Sequence, residues 1–259
     1  MTKKLTLLAI FILLAGGVQA DPVVLTSVMP HGHKGLVIHT AFVQGDYLIT
    51  ATNSGEITLW SISNYHPQNK KTVTIEHKKL KVVAYASDAK GRYLAVGFYN
   101  GLIKIIDLLL LQNDSPNFEV GELMSGVGLK SLAFNFEGTY LASWSPLEMF
   151  WWDMLGRTVM QNTAVSESEI NENMFASLDN GMASMTFKPD NSLLVSSHLG
   201  VQVHDFKGGA WQEGRNTDQI ENSQALSSLS GRVAFFPDGK AIVVVTTTLN
   251  VYAYLRSSL

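Results

Sequence analysis

Met149-Phe150-Trp151-Trp152-Asp153-Met154 is a short run, apolar on both alternating faces and interrupted by one aspartate. In an extended strand Trp152 points into one core, and its neighbour Trp151 faces the other side. Read outward, the same shape returns as Ile57-Thr58-Leu59-Trp60-Ser61-Ile62 and Ile103-Lys104-Ile105-Ile106-Asp107-Leu108. Val201-Gln202-Val203-His204-Asp205-Phe206 and Leu249-Asn250-Val251-Tyr252-Ala253-Tyr254 complete the set. The fourth position falls at 60, 106, 152, 204 and 252, spacings of 46, 46, 52 and 48 residues. Self-similarity at that period marks a repeat architecture with one supersecondary unit per copy.

Ahead of each copy lie a strand, a polar turn and a second strand. Thr40-Ala41-Phe42 precedes Gly45-Asp46-Tyr47-Leu48, and Leu132-Ala133-Phe134 precedes Glu137-Gly138-Thr139-Tyr140-Leu141. Met185-Thr186-Phe187 with Pro189-Asp190-Asn191, and Val233-Ala234-Phe235 with Pro237-Asp238-Gly239, repeat it. The second unit carries the turn as Asp88-Ala89-Lys90-Gly91. Such turn residues between alternating apolar runs indicate β-hairpins.

The pattern resembles the WD-repeat β-propeller family. Gly32-His33-Lys34-Gly35 leads to Trp60, with Asn53-Ser54-Gly55 in the second turn; Glu76-His77 is an eroded copy of the Gly-His pair, and Trp152-Asp153 is a true Trp-Asp. The resemblance implies an all-β propeller in which Gly32, His33, Trp60, Asp107, Trp152, Asp153 and Asp205 are structural repeat positions. It also implies a His–Ser/Thr–Trp hydrogen-bond network completed by a buried aspartate. Ser54 and Asn100 stand where that aspartate belongs, so apolar packing is expected to replace the network. A non-repeat β-sandwich is the competing architecture.

Strand counting sets the blade number. A lone strand-like run at residues 23–28, four four-stranded units and three final strands total 20 strands, or five blades, the N-terminal strand closing the last sheet. Seven blades of ~40–45 residues would need about 280–315 residues. Polar stretches at 163–178 and 208–228 are expected to be long loops around a weak outer strand; a sixth blade hidden there is the other possibility.

Residues 1–20 form a separate object. Lys3 and Lys4, an apolar run at 5–15, then Val18 and Ala20 match a secretory signal cut before Asp21. That run is too short to span a bilayer core of about 30 Å. The expectation is an exported periplasmic or secreted protein, residues 21–259 forming the propeller. Removing Lys3 and Lys4 from 19 basic residues leaves 17 against 22 acidic, net −5. With 46% hydrophobic and 16% charged residues the chain is not disordered, and without cysteine it has no disulfides, thiol catalysis or Cys-ligated metal. The acidic balance gives no reason to expect nucleic acid.

Chemical motifs are sparse. The innermost strands, near 36–42, 80–86, 129–134, 182–187 and 232–236, contain no Asp or Glu. A propeller glycosidase needs paired carboxylates there, and a calcium site needs hard oxygen ligands. His39, Lys81, Lys130 and Arg232 lie on or beside these strands, at registers that differ. Loops that project to one face carry His31, His33, Lys34, His77, Lys78, Lys79 and His198. The four histidines can be read as zinc or copper ligands, or as structural and solvated residues. Met182 and Met185, which can also be read as soft copper ligands, are expected in the core. Lys34, Lys78 and Lys79 form a basic patch, with Trp144 in the inner hairpin turn of unit three as an apolar anchor. The expected function is therefore a non-catalytic interaction module for a protein partner, without cofactor or membrane insertion. A propeller enzyme or a small-ligand or metal binder using the channel or histidine face is the alternative.

Overall fold

The computed structural model describes residues 33–43, 47–63, 66–77, 80–146, 148–164, 184–188, 190–197, 200–213, 215–216, 232–235, 241–245 and 251–255. The expected signal sequence at 1–20 and the expected closing strand at 23–28, with Gly32, His31, Lys78, Lys79, Met182 and His198, lie outside the described residues.

Three complete antiparallel sheets follow in chain order. The first contains β1 (Val37–Val43), β2 (Tyr47–Thr52), β3 (Glu56–Ser63) and β4 (His66–Thr74). The second contains β5 (Val82–Ser87), β6 (Tyr93–Phe98), β7 (Leu102–Asp107) and, after the short helix α1 (Leu108–Gln112), β8 (Glu119–Met124). The third contains β9 (Ser131–Phe134), β10 (Tyr140–Trp144), β11 (Glu148–Asp153) and β12 (Thr158–Ala164). In the fourth, β13 (Ser184–Phe187), β14 (Leu193–Ser197) and β15 (Gly200–His204) come first. An inserted hairpin of β16 (Phe206–Lys207) and β17 (Ala210–Trp211) then precedes a two-residue outer strand, β18 (Arg215–Asn216). A three-stranded sheet of β19 (Arg232–Phe235), β20 (Ala241–Val245) and β21 (Val251–Leu255) ends the chain. Each sheet is a meander, and the innermost strands neighbour one another in the order β1, β5, β9, β13, β19. The fold is an all-β propeller.

The cores lie between successive sheets. Ile49, Leu59, Leu94, Val96 and Phe98 fill the space between the first and second sheets. Ile103, Ile105, Leu132, Leu141 and Trp152 fill that between the second and third. Ala142, Trp151, Met185, Leu193, Val195 and Trp211 do so between the third and fourth. Adjacent residues Trp151 and Trp152 therefore serve different cores, as strand alternation requires. Each buried aliphatic side chain contributes on the order of 1.5–3 kcal/mol.

The expected replacement of the polar network by apolar packing holds in the second sheet and fails in the first. Trp60 Nε1 donates to Thr50 Oγ1 at 2.7 Å, and Thr50 Oγ1 lies 3.0 Å from His33 Nε2. His33 Nδ1 meets Glu56 Oε1 at 2.8 Å. With the ring proton on Nδ1, every donor in this series has one acceptor. Glu56, the first residue of β3, thus does what the missing aspartate would have done; its extra methylene reaches across from a different strand position. In the second sheet the same three places hold Ile106, Val96 and Leu102, all buried. In the third, Trp152 Nε1 donates to Ser143 Oγ at 3.1 Å, which lies 2.8 Å from Ser125 Oγ.

The Asp positions cap turns. Asp107 accepts from the N–H groups of Leu109 and Leu110 at the start of α1. Asp153 accepts from Leu155 and Gly156, and Asp205 lies 3.6 Å from Lys207. Gly55 holds φ +85°, and a Cβ there would run into the carbonyl of Ile75. That turn tolerates only glycine.

Pairing corrects one repeat alignment. Leu48 faces Trp60, Leu141 faces Trp152 and Leu193 faces His204, whereas in the last sheet Ile242 faces Tyr254. Tyr254, not Tyr252, occupies the tryptophan register: it stands twelve residues after Ile242, as Trp60 stands twelve after Leu48.

Candidate functional site

In a meander, successive turns alternate between the two ends of the strands. The loops leading into each sheet and the second turn of each sheet share one face, here the loop face; first and third turns share the other. The turn at Ser145 and Pro146 joins β10 to β11, the second and third strands, so Trp144 does not lie in the innermost hairpin turn. It still belongs to the loop face. Trp144 is the last residue of β10, half-buried and packed against the core between the third and fourth sheets. Its carbonyl accepts from Lys130 N–H at 2.9 Å.

The loop face is continuous across three sheets. Asn53 N–H donates to the Leu36 carbonyl, and Val82 N–H to the Asn53 carbonyl, tying the first sheet's second turn to the second sheet. Gly128 N–H donates to the Tyr99 carbonyl at 2.7 Å, tying the second sheet to the third. Along this rim Leu36 and Val127 are 66% and 70% exposed, and Tyr99 is 46% exposed. Lys34 and Lys81 are exposed beside them, with Glu76 as the exposed acid. Sequence reasoning missed this apolar row, because single apolar residues in turns carry no periodic signal. The opposite face also exposes Phe42, Phe136 and Leu155, but Lys90, Arg92, Asp88, Glu137 and Asp190 mix both charges around its turns.

The histidines separate in role. Both His33 ring nitrogens are engaged within the first sheet by Glu56 and Thr50. His77 packs on Phe98, ring centroids 5.6 Å apart, with Asn100 Nδ2 3.4 Å from its Nε2. Among the described residues no three His, Asp or Glu side chains gather as a metal-ligating group.

A cavity of about 530 Å³ runs between β1, β5, β9 and β13. Ile38, His39, Lys130, Ser131, Ser184 and Thr186 are among its lining residues. The differing registers expected for the basic residues are corrected in part. His39 pairs with Ala51, Ser131 with Trp144, Ser184 with Ser196 and Arg232 with Val245. Each stands three residues ahead of the position that faces the inward Leu or Ile of the second strand, so the four share one level. Lys130 sits one residue above. The His39 ring stacks on Tyr85 at 5.8 Å, and the Tyr85 hydroxyl donates to the Thr52 carbonyl. Burial pushes the Tyr85 phenol well above its ordinary range.

No protein-family model matches the chain, and no curated protein matches it in sequence. Among solved structures it is similar to the β-propeller domain of Cps50 (Swd1) from Myceliophteria thermophila, with a TM-score of 0.59 and 11% identity. The match covers 86% of this chain and 66% of that domain, just under two thirds. At this identity the likeness concerns the fold.

Proposed function

We propose that this chain is an exported, non-catalytic propeller whose loop face over the first three sheets binds an acidic segment of a partner protein. Propellers of this kind commonly serve as interaction scaffolds, and the observation that carries the reading is the coincidence of exposed Leu36, Tyr99 and Val127 with Lys34 and Lys81 on one rim. Apolar side chains supply the desolvation energy of binding, and surrounding charge of one sign speeds encounter and selects an oppositely charged partner. Lys78 and Lys79, adjacent in sequence to His77, add to the same charge. Trp144 contributes its exposed edge, and the Leu36–Val127 row supplies the anchor expected of it. Five blades closed by residues 23–28 would hold these loops on a rigid ring.

The test uses in-cell crosslinking of the tagged protein in its native host, comparing wild type with Lys34→Glu/Lys78→Glu/Lys79→Glu and with Leu36→Ser/Val127→Ser. A partner recovered by wild type and lost in both folded variants supports the reading, more so if loss in the charge variant is greater at low salt. Recovery unchanged in both, but lost in Phe42→Ser/Phe136→Ser, moves the interface to the opposite face.

A further inference from the structure

We propose that Asn100 is a site of spontaneous deamidation, in which the backbone nitrogen of Gly101 attacks the Asn100 side-chain amide and His77 assists the departure of ammonia. Asparagine is a thermolabile residue type, and a following glycine leaves the attacking nitrogen unhindered. Among the described residues Asn100 is the asparagine that precedes a glycine. The pair lies in the turn between β6 and β7, where Tyr99 is exposed and Asn100 half-buried. Gly101 holds φ +91°, and a Cβ there would run into the Ser125 carbonyl, so the turn keeps its glycine.

The groups the reaction needs surround the amide. Asn100 Oδ1 accepts from the Leu102 N–H at 3.3 Å, which places a donor where negative charge develops once the nitrogen adds to Cγ. His77 Nε2 lies 3.4 Å from Asn100 Nδ2, the nitrogen that must leave. Its ring is packed on Phe98, and as an imidazolium it donates a proton to that nitrogen. The Gly101 proton passes to water, the bond from Gly101 N to Cγ forms, the Cγ–Nδ2 bond breaks, and ammonia leaves a cyclic succinimide. Water then opens the ring at either carbonyl to give aspartate or isoaspartate, with no oxidation or reduction. The hydrogen bond from Gly101 N–H to the Phe98 carbonyl, 2.9 Å long, must open first. A hairpin turn opens locally at lower cost than the sheet it joins, so that bond sets the pace. The product puts a carboxylate beside His77, as Glu56 stands beside His33 in the first sheet. It also adds negative charge to the loop face next to Tyr99. If the rim binds as described above, on which this one consequence rests, that charge weakens capture of an acidic segment.

The experiment is a time course of the whole protein, kept folded at neutral pH and physiological temperature. Peptide mass spectrometry follows conversion of the Asn100 amide to an acid, and chromatography separates the aspartate and isoaspartate products. Progressive conversion of Asn100 to both acids is expected. His77→Phe, which keeps a ring against Phe98, should slow it several-fold; His77→Gln takes its place if that variant does not fold by circular dichroism. In urea, where His77 is no longer held beside Asn100, variant and wild type should convert at the same rate. Asn100 intact in the folded protein after the unfolded chain has converted overturns the proposal, as does equal conversion of folded wild type and folded variant. The mass change is read without any partner, so its absence and the absence of a rim interaction are separate results.

Discussion

The indole rings of Trp151 and Trp211 are stacked, centroids 5.4 Å apart with planes within 16° of parallel. Trp151 lies on the third strand of its sheet, whereas Trp211 comes from the hairpin inserted after β15. Trp211 is tied to both neighbours. Its N–H donates to Gln161 Oε1, Gln161 Nε2 donates back to its carbonyl, and its Nε1 donates to the Asn191 carbonyl. It clasps the third sheet to the fourth where the outer strand of the fourth has only two residues.

Trp211→Ala should therefore cost about 3–5 kcal/mol, the usual range for a buried tryptophan. Gln161→Ala, which removes the reciprocal pair but little volume, should cost roughly 1–3 kcal/mol. Urea denaturation of the two variants measures both. Losses below about 0.5 kcal/mol in each would show that the clasp is not holding the sheets.

Thr50 joins Trp60 to His33, so Thr50→Val orphans a buried indole N–H and an imidazole nitrogen together. A loss of about 2 kcal/mol is expected from those unmet groups. Val96→Thr puts the same hydroxyl at the matching site of the second sheet, where Ile106 offers it no donor. That change should also destabilise, by roughly 1–3 kcal/mol. A stabilising Val96→Thr would mean that the sheets are more alike than their side chains indicate.

Burial holds the His204 imidazole below its ordinary value, partly offset by its hydrogen bond to the Gln212 carbonyl and by the charges of Asp205 and Glu213. The unfolded chain then takes up a proton near pH 6.5 that the folded chain resists. Stability present above that pH declines as the pH falls through it, and levels off below the folded value. The slope is at most about 1.4 kcal/mol per pH unit. His204→Gln should flatten this part of a stability–pH curve measured between pH 5 and 8; an unchanged slope would assign the acid sensitivity elsewhere.

Export and closure make a paired expectation. N-terminal sequencing of protein from its native host should begin at Asp21. Removing residues 23–28 should lower the melting temperature or provoke aggregation, since the last sheet would then present an unpaired edge. A mature chain starting at Met1 contradicts the first, and unchanged melting and solubility contradict the second.

The repeat was legible because strand alternation and turn chemistry are local. Trp151 and Trp152 announce two cores within two residues, and Asp88-Ala89-Lys90-Gly91 and Glu137-Gly138 announce their turns. Glu56 was not legible as a network member, because its role depends on how far β3 reaches toward the loop carrying His33. Trp211 sits in a stretch read as polar loop, and a lone tryptophan in polar sequence gives no hint of which sheets it joins. The shared level of His39 and Arg232 was within reach of the sequence, since each directly precedes an aligned triplet, Thr40-Ala41-Phe42 and Val233-Ala234-Phe235. Two tyrosines two residues apart, Tyr252 and Tyr254, concealed which of them is equivalent to Trp60.

The unequal interiors of the sheets have a consequence for how the chain assembles. Tandem copies of one unit are prone to exchange partners during folding, a strand of one copy completing the sheet of another. Here the first sheet offers Thr50 and Glu56 to Trp60 and His33, the second holds Val96, Leu102 and Ile106 at three of those four places, and the third offers Ser143, backed by Ser125, to Trp152. The third strand of one sheet placed in its neighbour would bury a polar side chain with no counterpart, or leave one deserted. Each such error costs more than a correct pairing gains from any single contact. Erosion of the repeat letters has thus given each of the first three sheets an address of its own.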